Sequence, residues 1–401
     1  MSQLPMGWQV KCLGEVLQKT AMIDPRKNPE QKFEYIDVSS VSRNTFSIEK
    51  TSLLKGKDAP SRARRQVKTG DVLFATIRPT LQRVAIVPNA LNGEVCSTGY
   101  FVLRPREEIE NRFLYYYLFT EKFMFEMERR QKGASYPAVN DGDVKDQLIF
   151  FPPLPEQKRI VSILDETFAG ITQAVAIAEK NIANARKLFE SYLNSVFTKK
   201  GEGWEESSLG KSCDFYNGKA HEKNIDANGQ FIVINSKFIS SGGHLFKKTN
   251  DELFPLHKDD IVMVMSDVPN GKALAKCFLV GEDGKYTLNQ RICCIRSERF
   301  VKRFLFYHLN RHPFLLSFNN GENQTNLRKD DILRCPLYIP ETNEQRKIAD
   351  LLDGFLLETQ HLGTIYQQKL TALTELKQSI LQKAFAGELT ADVVSRQVVT
   401  R

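Results

Sequence analysis

The chain has 401 residues, 41% of them hydrophobic and 26% charged, which is enough for more than one buried core and unlike a disordered chain. Its formal net charge of +8 suits a polyanionic partner, although many proteins without such a partner share this excess. The seven cysteines are scattered and form no Cys-x-x-Cys pair, which argues against a disulfide framework or a zinc cluster and predicts a reducing compartment.

The first ten residues contain Pro5 and Trp8 and lack the charged-then-apolar plan of a signal peptide. No uncharged apolar stretch approaches the roughly 20 residues that are needed to cross a bilayer. We therefore expect a soluble, cytoplasmic protein with no membrane partner.

From about Met6 to Phe151, short apolar runs alternate with Gly, Pro, Asn and Asp turns. This pattern predicts a globular domain made mainly of strands. Strands are expected at Val72–Ile77, Val84–Val87 and Tyr100–Leu103. A helix is expected at Asn111–Arg129, where aromatic residues recur with helical spacing.

A basic loop precedes the first of these strands. Its cations are opposed only by Glu49 and Asp58, and they are Lys50, Lys55, Lys57, Arg62, Arg64, Arg65 and Lys68. Such a loop can neutralise several phosphates of a nucleic acid. A charge run can equally be a solvated face, so the loop alone leaves both interpretations open.

After Phe151 the hydrophobic period changes to alternating spacings of four and three. The stripe consists of Leu164, Phe168, Ile171, Val175, Ala178, Ile182, Ala185, Phe189, Tyr192 and Val196. This is typical of an a/d heptad helix. At about 1.5 Å per residue, a helix of roughly 42 residues is near 63 Å long, more than one small domain needs.

The strand pattern returns between Trp204 and Ile339. Strands are expected at Phe231–Ile234, Ile261–Met265 and Ile292–Ile295, with a helix at Arg299–Leu309. The basic residues are sparser here than in the first part, and they are Lys219, Lys223, Lys237, Lys247 and Lys248.

A second long amphipathic helix follows. Thr342 with Gln345 forms a capping-box pattern at its start, and Gly354 and Gly363 interrupt it. Its expected apolar face consists of Leu362, Tyr366, Leu370, Leu373, Leu376, Ile380 and Ala384.

The two halves of the chain are copies of each other. Gly7-Trp8 recurs as Gly203-Trp204, and Glu156-Gln157-Lys158-Arg159-Ile160 recurs as Glu344-Gln345-Arg346-Lys347-Ile348. Each long stripe could pack only on its own domain. Duplication instead favours pairing of the two helices, which run antiparallel if a pseudo-twofold axis relates the halves.

We therefore expect an α+β fold in which two similar mixed, strand-rich domains are joined by two long helices that form an antiparallel coiled coil, as a pseudo-twofold repeat. The predicted segments are a first domain at 1–152, a central spacer helix at 153–200, a second domain at 201–340, a distal spacer helix at 341–387 and a C-terminal tail at 388–401.

No catalytic motif is convincing. Leu209-Gly210-Lys211-Ser212 has Glu205 where a phosphate loop requires glycine, and the tetrapeptide that begins at Phe151 is not the methyltransferase pattern Asn/Asp-Pro-Pro-Tyr/Phe. The six histidines form no ligand cluster. We expect no catalytic, metal or cofactor site in this chain.

Several motifs resemble one family, the specificity subunits of type I restriction–modification systems. The matches to its two constant regions lie at 152–165 and 339–353, those to its target-recognition domains at 71–79 and 96–105, and that to its usual ending at 384–389.

The resemblance implies a non-catalytic protein that recognises a bipartite target in double-stranded DNA. Each variable domain would read one half-site, and the helices would fix the gap between the halves. The chain would dock two modification subunits and, through the complex, restriction subunits. S-adenosylmethionine, ATP and magnesium would belong to those partners.

Candidate DNA-binding residues follow from this interpretation. For the first half-site they are Arg62, Arg64, Arg65, Lys68, Arg78, Gln82 and Arg83. For the second they are Ser266, Asn270, Lys272, Gln324, Thr325 and Asn326.

Three alternatives stay open. The chain could be a helical scaffold without DNA specificity, a specificity subunit of a related bipartite-target restriction system, or a stand-alone methyltransferase or nuclease of unfamiliar type.

Overall fold

The structure, a computed structural model, describes residues 5–198, 201–268, 271–319 and 321–390. Two compact units divide the chain. Unit 1 comprises Met1–Glu179 and Gln367–Arg401, and unit 2 comprises Lys180–Tyr366. Each unit therefore contains a strand-rich part and a stretch of both long helices. The five-segment division of the sequence stays a prediction.

The first strand-rich part lies in unit 1. Its strands are β1 (Gln9–Cys12), β2 (Lys32–Ile36), β3 (Ser52–Lys55), β4 (Ala63–Gln66), β5 (Val72–Ala75), β6 (Val84–Ile86), β7 (Val95–Ser97), β8 (Tyr100–Leu103) and β9 (Leu148–Phe151). Its helices are α1 (Asn111–Tyr117), α2 (Glu121–Arg130) and α3 (Asp141–Lys145), followed by the long α4 (Leu154–Thr198). The helix expected at Asn111–Arg129 is two helices, because the Thr120 side chain caps a new start.

The second strand-rich part lies in unit 2. Its strands are β10 (Glu205–Ser208), β11 (Asp214–Asn217), β12 (Phe231–Ile234), β13 (Lys247–Thr249), β14 (Ile261–Val264), β15 (Ser266–Asp267), β16 (Cys277–Leu279), β17 (Tyr286–Leu288), β18 (Ile292–Arg296), β19 (Thr325–Asn326) and β20 (Pro336–Ile339). Its helices are α5 (Leu209–Ser212), α6 (Ser236–Ser240), α7 (Lys302–Leu309), α8 (Pro313–Leu316) and α9 (Lys329–Leu333), followed by the long α10 (Thr342–Ala386).

The two units share a sheet topology. Sheet β6-β5-β8 of unit 1 corresponds to β16-β14-β18 of unit 2, and the parallel pair β2–β7 corresponds to β12–β17. An antiparallel pair joins the first and last strands of each part, β1 with β9 and β10 with β20. The predicted duplication is thus a duplication of structure.

A buried ion pair is also repeated. Arg104 at the end of β8 donates two hydrogen bonds of 2.7 and 2.6 Å to Asp71 before β5, and Arg296 makes the same fork with Asp260, at 2.6 and 2.6 Å. Both aspartates are buried. Their hydrogen bonds raise the pKa of each arginine above its ordinary value. The two hydrogen bonds from each arginine compensate for the free energy of burying the aspartate carboxylate.

In unit 1 the two long helices share one core with the strand-rich part. Leu164 of α4 and Leu381 of α10 belong to the same buried cluster, and the Phe385 ring lies 4.8 Å from that of Phe113 on α1. One turn earlier along α10 than Leu381, the Lys377 ammonium lies over the ring of Phe168, which is one turn later along α4 than Leu164. Residue numbers rise along α4 as they fall along α10, so the helices run antiparallel within the unit.

In unit 2 the same arrangement recurs, but here the end of α4 packs with the start of α10. The Tyr192 and Phe355 rings lie 5.1 Å apart, and Leu193 packs with Leu352. The end of α4 reaches the strand-rich part through Phe197, whose ring lies 5.3 Å from that of Phe304. The antiparallel pairing predicted from the two stripes is therefore present within each unit.

The heptad stripe of α4 is confirmed, because every predicted stripe residue is buried or half-buried. The apolar face predicted for α10 is partly wrong, because Leu362 and Leu376 are exposed. In those turns Gly363 and Lys377 lie on the buried face of the helix, here called the seam. The helix continues through both of its glycines.

The predicted capping box at the start of α10 is also wrong. The Gln345 amide is buried and donates to the carbonyl oxygens of Pro340 and Arg299, and it does not cap its own helix.

By length and composition alone, α4 passes the test for a membrane-crossing helix, with an 18-residue stretch of mean hydropathy 1.4. A core helix of a soluble protein passes the same test. Here α4 places Ile160, Leu164 and Ile171 in buried positions of unit 1, so packing against protein accounts for these apolar residues.

Candidate nucleic-acid interface

The segment predicted as a basic loop contains β3 and β4, so Lys55, Arg64 and Arg65 lie on strands, and acidic side chains of unit 1 pair with several of its cations. Arg65 donates two hydrogen bonds of 3.0 and 2.8 Å to Asp141 at the start of α3, and Arg64 forms an ion pair with Asp24. Both arginines are half-buried. The contacts with Asp24 and Asp141 indicate that Arg64 and Arg65 hold the loop in place.

The remaining cations of the loop differ in their surroundings. Lys55 and Lys57 both contact Glu30, at 2.8 and 3.2 Å. Arg62 and Lys68 are exposed, and no ion pair joins them to another residue in the part of the chain that the structure describes. Lys50 is likewise exposed, and among the predicted DNA-binding residues of this segment Arg62 and Lys68 are therefore the ones best placed to meet phosphate.

A second feature of unit 1 is the turn after β5. Arg78 and Gln82 both adopt left-handed backbone conformations, with φ of 50° and 51°, around the short turn that begins at Pro79. The Arg78 amide donates to the carbonyl oxygen of Pro137 at 2.7 Å, and its guanidinium lies 5.1 Å from the Tyr136 ring. The Arg78 and Tyr136 side chains are exposed. The turn thus presents a stacked cation and aromatic ring to solvent.

Gln82 and Arg83 face inward. Arg83 donates to the carbonyl oxygens of Val38 and Val41, at 3.1 and 2.6 Å. Gln82 is half-buried and lines a cavity of about 640 Å³ beside α4 and α10. Their positions indicate a role in supporting the turn.

The turn after β14 in unit 2 is likewise joined to a second segment of the same unit. Ser266 pairs with Asn326 across β15 and β19, and the Gln324 side chain donates to that of Asn326 at 3.4 Å. Gln324 and Asn326 are exposed, whereas Thr325 is buried and contacts the Asn319 side chain at 3.1 Å.

The loop that follows β15 is closed by Asp267, whose carboxylate accepts hydrogen bonds from the amides of Ala273 and Leu274. A Cβ at Gly271 would lie 2.2 Å from this carboxylate, so the loop requires glycine there. Lys272 is exposed in this loop. Asn270 lies outside the described residues.

A family model described as "Type I restriction modification DNA specificity domain" matches residues 5–180 and again 201–372. The chain belongs to this family. It is a specificity subunit that recognises a DNA target, as its resemblance to the family implied.

Individual relatives agree with this assignment. A solved chain from work on complex assembly and conformational transition of the type I R-M system is 28% identical, with a TM-score of 0.86 over 97% of this chain and 100% of that one. The HsdS subunit of Thermoanaerobacter tengcongensis is also 28% identical, with a TM-score of 0.64 over 96% and 98%. A Methanocaldococcus jannaschii protein, provisionally assigned as the type I restriction enzyme MjaX specificity subunit, is 22% identical over 97% of this chain and 95% of its own.

The two turns of this specificity subunit are equivalent. The Val139 amide donates to the carbonyl oxygen of Thr76 at 3.0 Å in unit 1, and the Leu327 amide donates to that of Met265 at 2.8 Å in unit 2. Val139 and Leu327 are therefore equivalent, and the residues three positions before them, Tyr136 and Gln324, correspond to each other. Gln324 was predicted as a DNA-binding residue and Tyr136 was not. The internal repeat, applied to Gln324, would have pointed to Tyr136.

A basic edge strand is also common to both units. β3 and β13 each lie beside the equivalent central strand, β2 or β12, and carry Lys55 and Lys247 respectively. Exposed apolar side chains, Leu245 and Phe246, precede Lys247. Each unit therefore has a polar turn and a lysine-bearing edge strand, two features that suit contact with nucleic acid.

Among the described residues, no group of three or more His, Cys, Asp or Glu side chains is arranged to hold a metal ion. The buried thiols are shifted away from reactivity, since burial raises the pKa of Cys293 to about 12.

Proposed function

We propose that this specificity subunit is itself non-catalytic and recognises a bipartite duplex target, with unit 1 reading one half-site and unit 2 the other. The observation that carries the proposal is the duplicated turn. One backbone position presents Tyr136, stacked with Arg78, in unit 1 and Gln324, hydrogen-bonded to Asn326, in unit 2. Side chains that differ on matching scaffolds suit the reading of two different base sequences.

Phosphate contacts would come from exposed cations of the two units. In unit 1 we assign this role to Arg62 and Lys68, and in unit 2 to Lys247 and Lys272. Asn270 and Ser266 are retained as candidate DNA-binding residues. Arg64, Arg65 and Arg83 are retained as residues that shape the interface. Contacts to phosphate position a protein on DNA without selecting its sequence.

The partners of the chain follow from its family. We propose that it docks two modification subunits, one for each repeat, and reaches restriction subunits through the assembled complex. S-adenosylmethionine, ATP and magnesium would be bound by those partners, and the complex would act in the cytoplasm. α4 and α10 would set the gap between half-sites, because paired helices resist bending.

Methylome sequencing of a host that carries the chain with its partner subunits tests the proposal. Wild-type protein should methylate a split sequence. The double variant Arg78→Ala/Tyr136→Ala should relax base preference in one half, and Gln324→Ala/Asn326→Ala in the other. A lost base contact costs about 1–3 kcal/mol, which corresponds to roughly five- to 150-fold in discrimination.

Each double variant is the control for the other. If either one altered both halves, or changed only the overall extent of methylation, the assignment of the turns would be wrong. If the wild-type protein directed no split methylation, the scaffold alternative would stand. A methylated target made by the purified chain alone would favour the methyltransferase alternative. A split target modified by enzymes of another class would indicate a related restriction system.

A further inference from the structure

The start of each long helix carries a buried glutamine that joins three segments of chain. In unit 1, the Gln157 side chain accepts a hydrogen bond of 2.9 Å from the Glu110 amide and donates to the carbonyl oxygens of Glu108 and Pro152, both at 2.8 Å. Gln157 is fully buried. One side-chain amide thus connects α4, the end of β9 and the segment before α1.

The second repeat has the same connection. Gln345 accepts a hydrogen bond of 2.7 Å from the Val301 amide and donates to the carbonyl oxygens of Pro340 and Arg299, at 2.9 and 3.4 Å. This explains why the Glu-Gln motif recurs in the sequence: the glutamine serves the junction between a strand-rich part and its helix.

A second connection lies eight residues farther along each helix. Asp165 of α4 accepts hydrogen bonds from the Tyr116 hydroxyl and the Arg112 guanidinium of α1, both at 2.5 Å. In unit 2, Asp353 of α10 accepts from Tyr307 at 2.5 Å and pairs with Arg303. Eight residues of helix span about 12 Å.

We propose that these two connections, Gln157 with Asp165 and Gln345 with Asp353, are positioning elements that select the length of the gap between half-sites. A single connection would let a strand-rich part pivot on its helix, whereas two connections about 12 Å apart fix its angle. A swing of a few ångströms at the DNA surface equals one base-pair step of about 3.4 Å. This inference rests on the proposed bipartite recognition.

The aspartates offer the cleaner test, because removing a buried glutamine also leaves main-chain groups without partners. The experiment uses the complete complex and a target library whose gap varies one base pair at a time around the wild-type length. Asp165→Ala should broaden the accepted gaps, so that discrimination against a one-base-pair change falls roughly tenfold while base preference within both half-sites stays unchanged. Asp353→Ala should broaden them in the same way through unit 2.

Glu166→Ala is the matched control, since it removes an exposed carboxylate next to Asp165 on the same helix. It should leave the gap profile of wild type. If Asp165→Ala fails to fold, Tyr116→Phe removes one hydroxyl from the connection and decides the question. Asp165→Asn keeps an acceptor for Tyr116 and should restore part of the selectivity.

An unchanged gap profile in folded Asp165→Ala or Tyr116→Phe would overturn the inference, as would altered base preference within a half-site. Loss of split methylation by the wild-type complex would instead refute the proposed function.

Discussion

His308 is a buried residue of unit 2 whose ionisation should control stability. Its ring stacks on Phe197 at 4.4 Å, and neither ring nitrogen has a hydrogen-bond partner in the described part of the chain. Burial, helped by His312, lowers the pKa of His308 to about 3, and burial lowers that of His312 to about 4. An unfolded histidine titrates near 6.5. Between the folded and unfolded pKa values the unfolded chain binds more protons than the folded chain. The free energy of unfolding should therefore decrease as the pH is lowered, by about 1.4 kcal/mol per pH unit for each histidine.

The variant His308→Phe tests this expectation, because it preserves the stack and removes one titrating group. Urea unfolding of unit 2 from pH 7.5 to 5 should show a shallower pH dependence for the variant than for wild type. His361→Gln, which changes an exposed histidine of α10, should behave as wild type. Equal slopes for His308→Phe and wild type would contradict the assigned pKa.

Single residues show how far sequence could predict the interface. The sequence located the basic segment and the turn after β5, since both depend on local composition, but it did not predict that the basic segment contains β3 and β4. It could not show that Arg64 and Arg65 would pair with Asp24 and Asp141, because these partners are far apart in the chain and only the fold brings them together. The contact of Tyr136 with Arg78 depends on the fold in the same way, although the internal repeat pointed to position 136 itself.

At the level of elements, the two helices differ in how well their seams could be predicted. The α4 seam is apolar throughout, so its periodicity predicted the buried face. The α10 seam includes Gly363 and Lys377, which a search for apolar residues passes over in favour of Leu362 and Leu376. The Lys377 stem is half-buried, and its ammonium lies 5.3 and 5.1 Å from the rings of Phe46 and Phe168, so a cation completes this part of the seam.

Glycines within the long helices should be sites of cheap stabilisation. A Cβ at Gly170 or Gly354 would meet no atom within 4 Å, and both positions are helical and exposed. Gly170→Ala and Gly354→Ala should therefore each raise the free energy of unfolding by about 0.5–1 kcal/mol, measured by chemical denaturation. Gly387→Ala should do the opposite, because Gly387 has φ of +76° and a Cβ there would lie 2.4 Å from Pro5. Destabilisation by Gly170→Ala would show that another constraint acts at this position.

At the level of the whole molecule, the last turns of α10 complete a core to which residues near the start of the chain also belong. Leu381 and Ala384 are buried in the main cluster of unit 1, together with Val72 and Phe113. The duplication and the helix pairing were predictable from sequence, because matched motifs recur in order. The division of α4 and α10 between two units was not, since it depends on which contacts each stretch makes.

Truncation after Tyr366 should consequently destabilise unit 1 far more than unit 2. Hydrogen exchange followed by mass spectrometry should show faster exchange in β5 and α1, while β14 and β18 stay protected. Leu376→Ala, which changes an exposed residue of the removed stretch, should leave both patterns unchanged. Equal loss of protection in the two units would contradict the assignment of this stretch to unit 1.

The glutamine junctions use only main-chain atoms of the strand-rich parts: Gln157 binds the Glu108, Glu110 and Pro152 backbones and no side chain. Side chains that contact neither these glutamines nor Asp165 and Asp353 can therefore mutate without disturbing the attachment. A foreign domain that keeps this backbone path, together with the arginine and tyrosine that bind the aspartate, could be grafted onto either helix as an interchangeable cassette, so that new target sequences could arise by recombination while the rest of the machinery is inherited intact.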